Sequence, residues 1–480
     1  MDYNEAIAYL NGLNKFGIKL GLEQMYTLCN FLGNPQDSLR FIHVAGTNGK
    51  GSVVTYLSYI YIQAGYRVGA YTSPAVLSKR EVFQVNQQWI AEEAYAQMGS
   101  QMKTAVEQMV SEGYDSPTIF EVETAMAFLY FKHMNCDLVI LETGMGGRTD
   151  ATNVVKHTIT SVFTPIAMDH VVEIGPTQED IARAKAGIIK AGSKIVSVEQ
   201  NPVVTRFLEL EADLYHEKVS YVSKEDIRVS LKTNDTYESN PIESVTKDIV
   251  TKENCTIEIN SKKIVTEKND LDGTCQQFTY KTYQDVQIRM LGEHQAENAS
   301  LAIEVVECNQ DLYPVSMKAM YEGLQQAQIN GRFSIIRKQP LMIVDGAHNV
   351  DAVIKLRRSL QAYQHGRRIL AVNGIFRDKD QEHMMQEIID VLDLVITVPL
   401  PNQQRSMPAV ELAENWKKVY QDSLGMDLHQ AENKVYAADS IKEGVELALS
   451  HAEQEDVILI FGSLSLVQEL YMLTDIIEVT

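Results

Sequence analysis

The six residues FIHVAG (41–46) are almost wholly apolar and too few for a helix. They run directly into TNGKGS and then into VVTYLSYIYIQAG, an apolar stretch of helical length. A buried strand, a glycine-rich turn and a buried helix in that order constrain the fold more than any other feature of the chain. A strand without polar alternation belongs inside a sheet that is covered on both faces. The pattern recurs: strand-type runs follow at RVGAYT (67–72), CDLVILET (136–143), TITSVFT (158–164) and SKIVSV (193–198). Helix-type segments separate them at TIFEVETAMAFLYFKH (118–133) and TQEDIARAKAGIIKAG (177–192), and the opening forty residues are helical up to the loop signal LGNPQ. This alternation predicts a mostly parallel sheet with helices on its faces.

Residues 200–290 read differently. They are polar, with alternating patches such as CTIEIN and KKIVTE, and predict a β-rich insertion. HQAENASLAIEVVE (294–307) is helical again. From about residue 341 a second alternation begins, with LMIVDG, RILAVNG, LVITVPL and DVILIFG as its strands. The expected architecture is therefore α/β in two domains. An N-terminal P-loop-like ATPase domain, 1–327, has a mostly parallel sheet and carries the insertion. A linker, 328–333, leads to a smaller C-terminal doubly wound α/β domain, 334–480. A chain of 480 residues is long enough for this, at about 100–200 residues per domain.

Composition removes several classes of function. Hydrophobic residues make up 45% and charged residues 22%, which is ordinary for a packed globular chain. With 43 Lys and Arg against 64 Asp and Glu, the net charge is −21, and such a surface repels phosphate backbones, so no nucleic-acid partner is expected. Five cysteines, none in a CxxC pair, argue against a disulfide framework and a zinc ribbon and point to a reducing cytoplasm. MDYNEAIAYL carries two acids and no apolar core, unlike a signal peptide, and no run approaches a membrane span.

The residues that carry chemistry cluster at predicted strand ends. In HVAGTNGKGS (43–52), Gly46, Gly49 and Gly51 let backbone N–H groups curl around phosphate oxygens. Lys50 supplies a point charge, and Thr47 or Ser52 supplies a hydroxyl for a phosphate or a metal. The strict phosphate-loop pattern is not met, because Gly51 follows Lys50 and Val44 stands where the first glycine belongs. In LETGMGGRTDATN (141–153), Glu142 ends a buried strand, where a charge is costly unless it binds something, and Mg²⁺ suits a carboxylate. MDH (168–170) offers His170, although a lone His is more often a satisfied structural residue than a ligand. YTSP (71–74) places Ser73 at the same predicted sheet edge, although a Ser before Pro is usually just a turn. IVDGAHN (343–349) puts Asp345 and His348 past a strand of the second domain, where they suit substrate orientation and proton transfer; an Asp there is also often a helix cap. Arg332, in NGR, is positioned to reach a phosphate or to be a solvated linker residue.

Together, LGNPQ…FIHVAGTNGKGS, TSP, PTIFEVETAMAF, ETGMGGRTDATN, MDH, IARAKAGIIK, LGEHQAENA, GRF, DGAHN and FGSLSLV occur in the order of the folylpolyglutamate synthase and dihydrofolate synthase family, within the wider group of Mur-type ATP-dependent amide ligases. The resemblance covers roughly residues 20–470. It implies addition of L-glutamate to the carboxylate of a reduced folate, with dihydropteroate as a further acceptor, through an acyl phosphate made from ATP. ATP is implied to lie between two domains that close on it, and one or two Mg²⁺ ions to accompany it.

The resemblance also implies roles. Thr47, Asn48, Gly49, Lys50, Gly51 and Ser52 resemble the nucleotide phosphate loop. Asn298, Arg332 and Asp345 match positions that touch ATP, and Ser73, Glu142 and His170 match Mg²⁺ ligands. Asp345 and His348 lie where relatives handle glutamate. Lys185, in IARAKAGIIK, matches a lysine that relatives carry carbamylated beside the metal, and its small or apolar neighbours Ala184, Ala186, Gly187 and Ile188 favour partial burial. Relatives imply a monomer in the cytoplasm. Where the family often has SPH and an ERI…NG segment, this chain reads SPAVLSKREVFQVNQQWI, in a region that helps bind the acceptor in relatives. Two other readings compete: a Mur-type peptidoglycan precursor ligase, and a nucleotide-binding regulator without catalysis. Only about forty residues precede the phosphate loop, against the extra N-terminal domain that the first would bring. The retention of Lys50, Glu142, His170 and Asp345 speaks against the second.

Overall fold

The structure is a computed structural model and describes residues 1–17, 19, 21–232, 255–259, 262–266, 275–364, 366–402 and 404–473. By contact the chain divides into two compact units, Met1–Ser223 with Glu297–Ala327, and Lys224–Ala296 with Gln328–Thr480. By contact the insertion and residues 328–333 both group with the second unit. Phe333 is buried, and the Gly331 and Arg332 amides donate to the Ser334 hydroxyl.

The first unit is built on an eight-stranded sheet. Its strands are β1 (Phe41–Ala45), β2 (Val68–Tyr71), β3 (Phe83–Val85), β4 (Gln88–Trp89), β5 (Leu138–Glu142), β6 (Thr158–Phe163), β7 (Lys194–Val198) and β8 (Val219–Val222). Their order is β4-β3-β2-β5-β1-β6-β7-β8. The six strands from β2 to β8 across the sheet run parallel, and β3 and β4 add an antiparallel edge. Every residue of β1, β2 and β5 is buried, as expected of strands covered on both faces. From β1 the chain crosses to β2 on one side, and from β5 it crosses back to β6 on the other. The C-terminal end of β1 therefore lies where strand order reverses, which is where open α/β sheets bind ligands.

Local chemistry sets the helix boundaries. The helix Ile119–His133 begins at a capping box in which Thr118 and Glu121 satisfy each other's backbone N–H. Thr177 and Asp180 do the same for the helix Gln178–Ala186. That helix stops at Gly187, short of the predicted Gly192, and Gly187 packs so closely on Arg148 that an added Cβ would lie 2.4 Å from the Arg148 Cβ. A second departure concerns residues 200–290. Their first part is the helix Pro202–Asp213, capped by Asn201 and buried through Val204, Leu208 and Ala212, followed by β8 of the first sheet. The β-rich part starts only at Ile227.

The second unit holds two sheets. The insertion forms β9 (Ile227–Lys232), β10 (Cys255–Ile259), β11 (Lys262–Thr266), β12 (Cys275–Tyr280) and β13 (Tyr283–Ile288), in the order β10-β11-β9-β12-β13. The patches CTIEIN and KKIVTE supply β10 and β11, and three further stretches of the region read as β-rich, 233–254, 260–261 and 267–274, lie outside the described residues. The other sheet has β14 (Ser334–Lys338), β15 (Leu341–Asp345), β16 (Ile369–Asn373), β17 (Leu394–Thr397), β18 (Val435–Ala437) and β19 (Val457–Phe461), in the order β14-β15-β19-β16-β17-β18. Five strands are parallel, and β14 pairs antiparallel with β15. Its core includes Ile343, Ile369, Leu459 and Trp416, whose indole N–H donates to the Asn373 side chain at 3.0 Å. Among the described residues no helix is long and apolar enough to cross a membrane.

Candidate active site

In the first unit, β1 ends at Ala45 and the helix Lys50–Gln63 starts five residues later. Gly46 and Gly49 make the turn between them. Gly46 has φ +150, and a Cβ on it would lie 1.8 Å from the Thr164 hydroxyl oxygen; Gly49 has φ +91, and its Cβ would lie 2.6 Å from the Asn298 amide oxygen. No side chain caps this helix N-terminus. Its N–H groups and its positive end therefore mark a place for an anion. Thr47 anchors the loop on the segment after β6. Its amide donates to the Pro165 carbonyl at 2.8 Å, its hydroxyl donates to the Ala167 carbonyl at 2.9 Å, and it accepts from the Ala167 amide at 3.0 Å.

Two amines converge on the carbonyl oxygen of Gly46. Lys50 Nζ donates to it at 3.2 Å and Lys185 Nζ at 2.7 Å. Lys50 Nζ also stands 3.9 Å from Glu142 Oε1, at the C-terminal end of β5. Lys185 is buried, and burial first, then the positive charge of Lys50, pushes its pKa down to about 7 against the opposing pull of Asp169 and Asp150. The expected partial burial of Lys185 is thus complete. Ser73 follows β2, and Tyr71 of β2 pairs with Leu141 of β5, so Ser73 and Glu142 share one sheet edge. His170 has a left-handed backbone, φ +52, which is strained for a residue with a Cβ. Its amide donates to Asp169 at 3.0 Å.

The loop that leaves Glu142 is docked on the helix that carries Lys185. The Arg148 amide donates to the Ala184 carbonyl at 2.7 Å, and Asn153 Nδ2 donates to the carbonyls of Arg148 and Gly187, both at 3.0 Å. Gly147 has to be a glycine, since a Cβ would lie 2.8 Å from the Ala184 carbonyl. The loop after Ser73, where the chain departs from the family pattern, is organised by Glu81. This carboxylate accepts from the amides of Val76 and Leu77, the latter at 2.9 Å, and burial raises its pKa. Sequence reasoning passed over Asp150, Thr152, Asp169 and Glu81. The D-x-T spacing of Asp150 and Thr152 is the one local sign of a side chain turned back on its own backbone.

In the second unit, Asp345 ends β15. Its Oδ2 accepts from the Phe333 amide and its Oδ1 from the Ala347 amide, each at 2.8 Å. Burial raises its pKa, while Arg332 and both amides oppose the rise. The Arg332 guanidinium lies over Gly346, whose added Cβ would meet its Nη1 at 2.6 Å. His348 Nδ1 pairs with the Gly346 carbonyl at 2.8 Å; with Nδ1–H as donor, the ring lone pair is on Nε2. Asn349 caps the next helix through the Ala352 amide at 2.9 Å. The fold thus gathers the phosphate loop, Glu142, Lys185, Asn298 and Ser73 in one unit, and Arg332, Asp345 and His348 in the other.

Among the described residues no group of three or more His, Cys, Asp or Glu side chains is disposed to hold a metal. By donor chemistry a carboxylate such as Glu142 and a hydroxyl such as Ser73 suit Mg²⁺, which completes its shell with water and substrate phosphates, and an imidazole such as that of His170 suits it less.

Comparison with known proteins bears on the family and the fold. The Mur ligase middle domain matches residues 44–306, and the Mur ligase glutamate ligase domain matches residues 331–464. A dihydrofolate synthase/folylpolyglutamate synthase of Bacillus subtilis is 31% identical over 475 residues, covering 98% of both chains. The Escherichia coli dihydrofolate synthase/folylpolyglutamate synthase is 28% identical, covering 95% of this chain and 92% of its own. Among solved structures, a folylpolyglutamate synthase of Thermotoga maritima superposes with TM-score 0.75 at 30% identity, covering 98% of this chain and 96% of its own. The E. coli FolC complex with DHPP and ADP superposes with TM-score 0.77 at 27% identity, covering 99% and 98%. Related over 98% of its length to a relative of that name and matched by both ligase domains, the chain belongs to the folylpolyglutamate synthase and dihydrofolate synthase family of Mur-type ligases.

Proposed function

We propose that this chain uses ATP to join L-glutamate to the carboxylate of a folate, and that dihydropteroate is a second acceptor. The observation that carries the reading is the convergence of Lys50 and Lys185 on Gly46 beside Glu142, within a chain related over its whole length to folylpolyglutamate synthases. A carboxylate does not form an amide directly, because hydroxide is a poor leaving group, whereas phosphate is a good one. ATP and the acceptor are both anionic, so the site has to offset their repulsion where they meet. The N–H groups from Gly49 to Ser52, the end of the helix Lys50–Gln63 and the Lys50 ammonium do so on the protein side.

Mg²⁺ held by Glu142, with Ser73 and His170, would neutralise phosphate charge. Lys185, once carbamylated, would add a carboxylate to that set. With a pKa near 7, much of the amine is neutral at physiological pH and able to react with CO₂. The carbamate keeps one N–H, which retains the bond to Gly46. It would also stand near the acidic Asp150 and Asp169, so a cation has to accompany it. Asn298 and Arg332 are proposed to touch the nucleotide. Asp345 and His348 are proposed to orient the incoming glutamate and to aid proton transfer from its ammonium. The free thiols of Cys29, Cys136, Cys275 and Cys308 support work in a reducing cytoplasm, and the reading includes a monomer. The deciding experiment incubates the protein with ATP, Mg²⁺, labelled glutamate and either tetrahydrofolate or dihydropteroate. Labelled folate product establishes the reaction, and the acceptor that yields it distinguishes the two activities; product from neither refutes the reading.

A further inference from the structure

Beneath the nucleotide loop lies a buried polar chain that the chemistry above does not use. His43, in the middle of β1, is fully buried, and its Nε2 is 2.8 Å from the Thr152 hydroxyl. Thr152 donates that hydroxyl proton to Asp150 Oδ1 at 2.5 Å and its amide to the same oxygen at 3.0 Å. Asp150 Oδ2 accepts from the Met145 amide at 2.7 Å. Since the threonine has one proton and gives it to Asp150, the imidazole is the donor to Thr152, which places its own proton on Nε2. His43 Nδ1 has no hydrogen-bond partner among the described residues. A polar chain in so apolar a place is costly unless each link does something that a packed aliphatic core would not.

The links close a ring. Three residues after His43 comes Gly46, the acceptor for Lys185. Lys185 lies in the last turn of the helix Gln178–Ala186, and on that turn docks the loop 143–153 through the Arg148 amide and Asn153. The same loop starts at Glu142, the partner of Lys50, and ends at Asp150 and Thr152, which return to His43. One hydroxyl thus joins the strand that sets Gly46 to the loop that sets Glu142 and supports Lys185.

We propose that Thr152 is a positioning residue of this enzyme: by bridging His43 and Asp150 it holds Glu142, Lys50 and Lys185 in register around Gly46, without touching any substrate. The proposal rests on the ligase reading only for its turnover measurement.

The test compares Thr152→Val, of nearly equal shape without the hydroxyl, with Thr152→Ser, which keeps it. Three quantities are measured: amide hydrogen exchange across residues 143–153, ADP affinity by calorimetry, and kcat and KM for glutamate. Thr152→Val is expected to exchange faster across that loop while the rest of the first unit keeps its protection. It is expected to lose at least about tenfold in kcat, with KM for glutamate moved less than about threefold, as for other supporting contacts around a reactive centre. Thr152→Ser is expected to restore both exchange and kcat. A folded Thr152→Val with unchanged loop exchange, or with kcat close to that of the unaltered protein, overturns the proposal. So does Thr152→Ser behaving like Thr152→Val. Should Thr152→Val not fold, the pair His43→Gln, which keeps a donor near Nε2, and His43→Leu, which does not, decides: equal loop exchange and kcat in the two overturns it. Exchange and ADP binding are read without acceptor or glutamate, so a failure of the ligase reading leaves this outcome separately visible.

Discussion

Lys185 reaches back 139 residues along the chain to the carbonyl oxygen of Gly46, 2.7 Å from its amine. This contact places a buried lysine against the glycine-rich loop proposed to take the nucleotide, and burial there lowers its pKa to about 7.

From it follows an expectation about modification. Lys185→Ala should lose nearly all ligase activity, and short carboxylic acids should restore part of it by filling the vacant anion position. Carbamate forms from the neutral amine, so ¹³C-bicarbonate should label the protein increasingly as pH rises through about 7. A ¹³C NMR carbamate signal present in the unaltered protein and absent from Lys185→Ala confirms the site; full activity in Lys185→Ala refutes it.

Lys50→Ala should reduce turnover on the order of 10²-fold or more, because its charge counts most while phosphate is in transfer. Its far-ultraviolet circular dichroism should match the unaltered protein, since the loop backbone is set by Gly46 and Gly49. Near-normal turnover would remove the phosphate-loop assignment.

Gly49→Ala tests the loop backbone itself. At φ +91 and 2.6 Å from the Asn298 amide oxygen, a methyl group forces both the loop and Asn298 to shift. ATP affinity measured by calorimetry should fall steeply, whereas Gly65→Ala, strained by its φ of +93 but with open space around its Cβ, should leave affinity unchanged.

Asp345→Asn should destabilise the second unit by about 1–3 kcal/mol, because an amide nitrogen then faces a backbone N–H where a carboxylate oxygen accepted one. Denaturant unfolding should show the loss, and the glutamate KM should rise.

Two buried histidines contribute to acid stability. Burial pushes His43 and His294 down to about 3 from an ordinary 6.5, with Lys190 and Lys355 adding to the shifts. The unfolded chain takes up these protons below about 6.5 while the folded chain resists until about 3, so stability is full above that window and falls as pH drops through it. Unfolding midpoints measured between about pH 7 and about pH 4 should decline less steeply in His294→Gln than in the unaltered protein.

Much of this protein is written locally. The strands at 41–46, 67–72, 136–143, 158–164 and 193–198 appear within a residue or two of their predicted ends, because an apolar run bounded by turn residues contains its own signal. Strands β3 and β4 were not legible: they form a short edge hairpin whose turn, at Asn86 and Gln87, takes left-handed backbone without a glycine to announce it. The close approach of Gly187 to Arg148, some forty residues away, could not be read either.

By itself, then, the sequence determined the alternation of strands and helices, the glycine-rich loop and the residue types at each strand end, all encoded within spans of about ten residues. Only the tertiary structure decided which strand ends became neighbours, that the insertion groups with the second unit, and that Lys50 and Lys185 share the Gly46 carbonyl while Thr152 ties His43 to Asp150. The physical reason is sheet order: with β1 between β5 and β6, residues a hundred positions apart meet at one edge, and no local pattern carries that information.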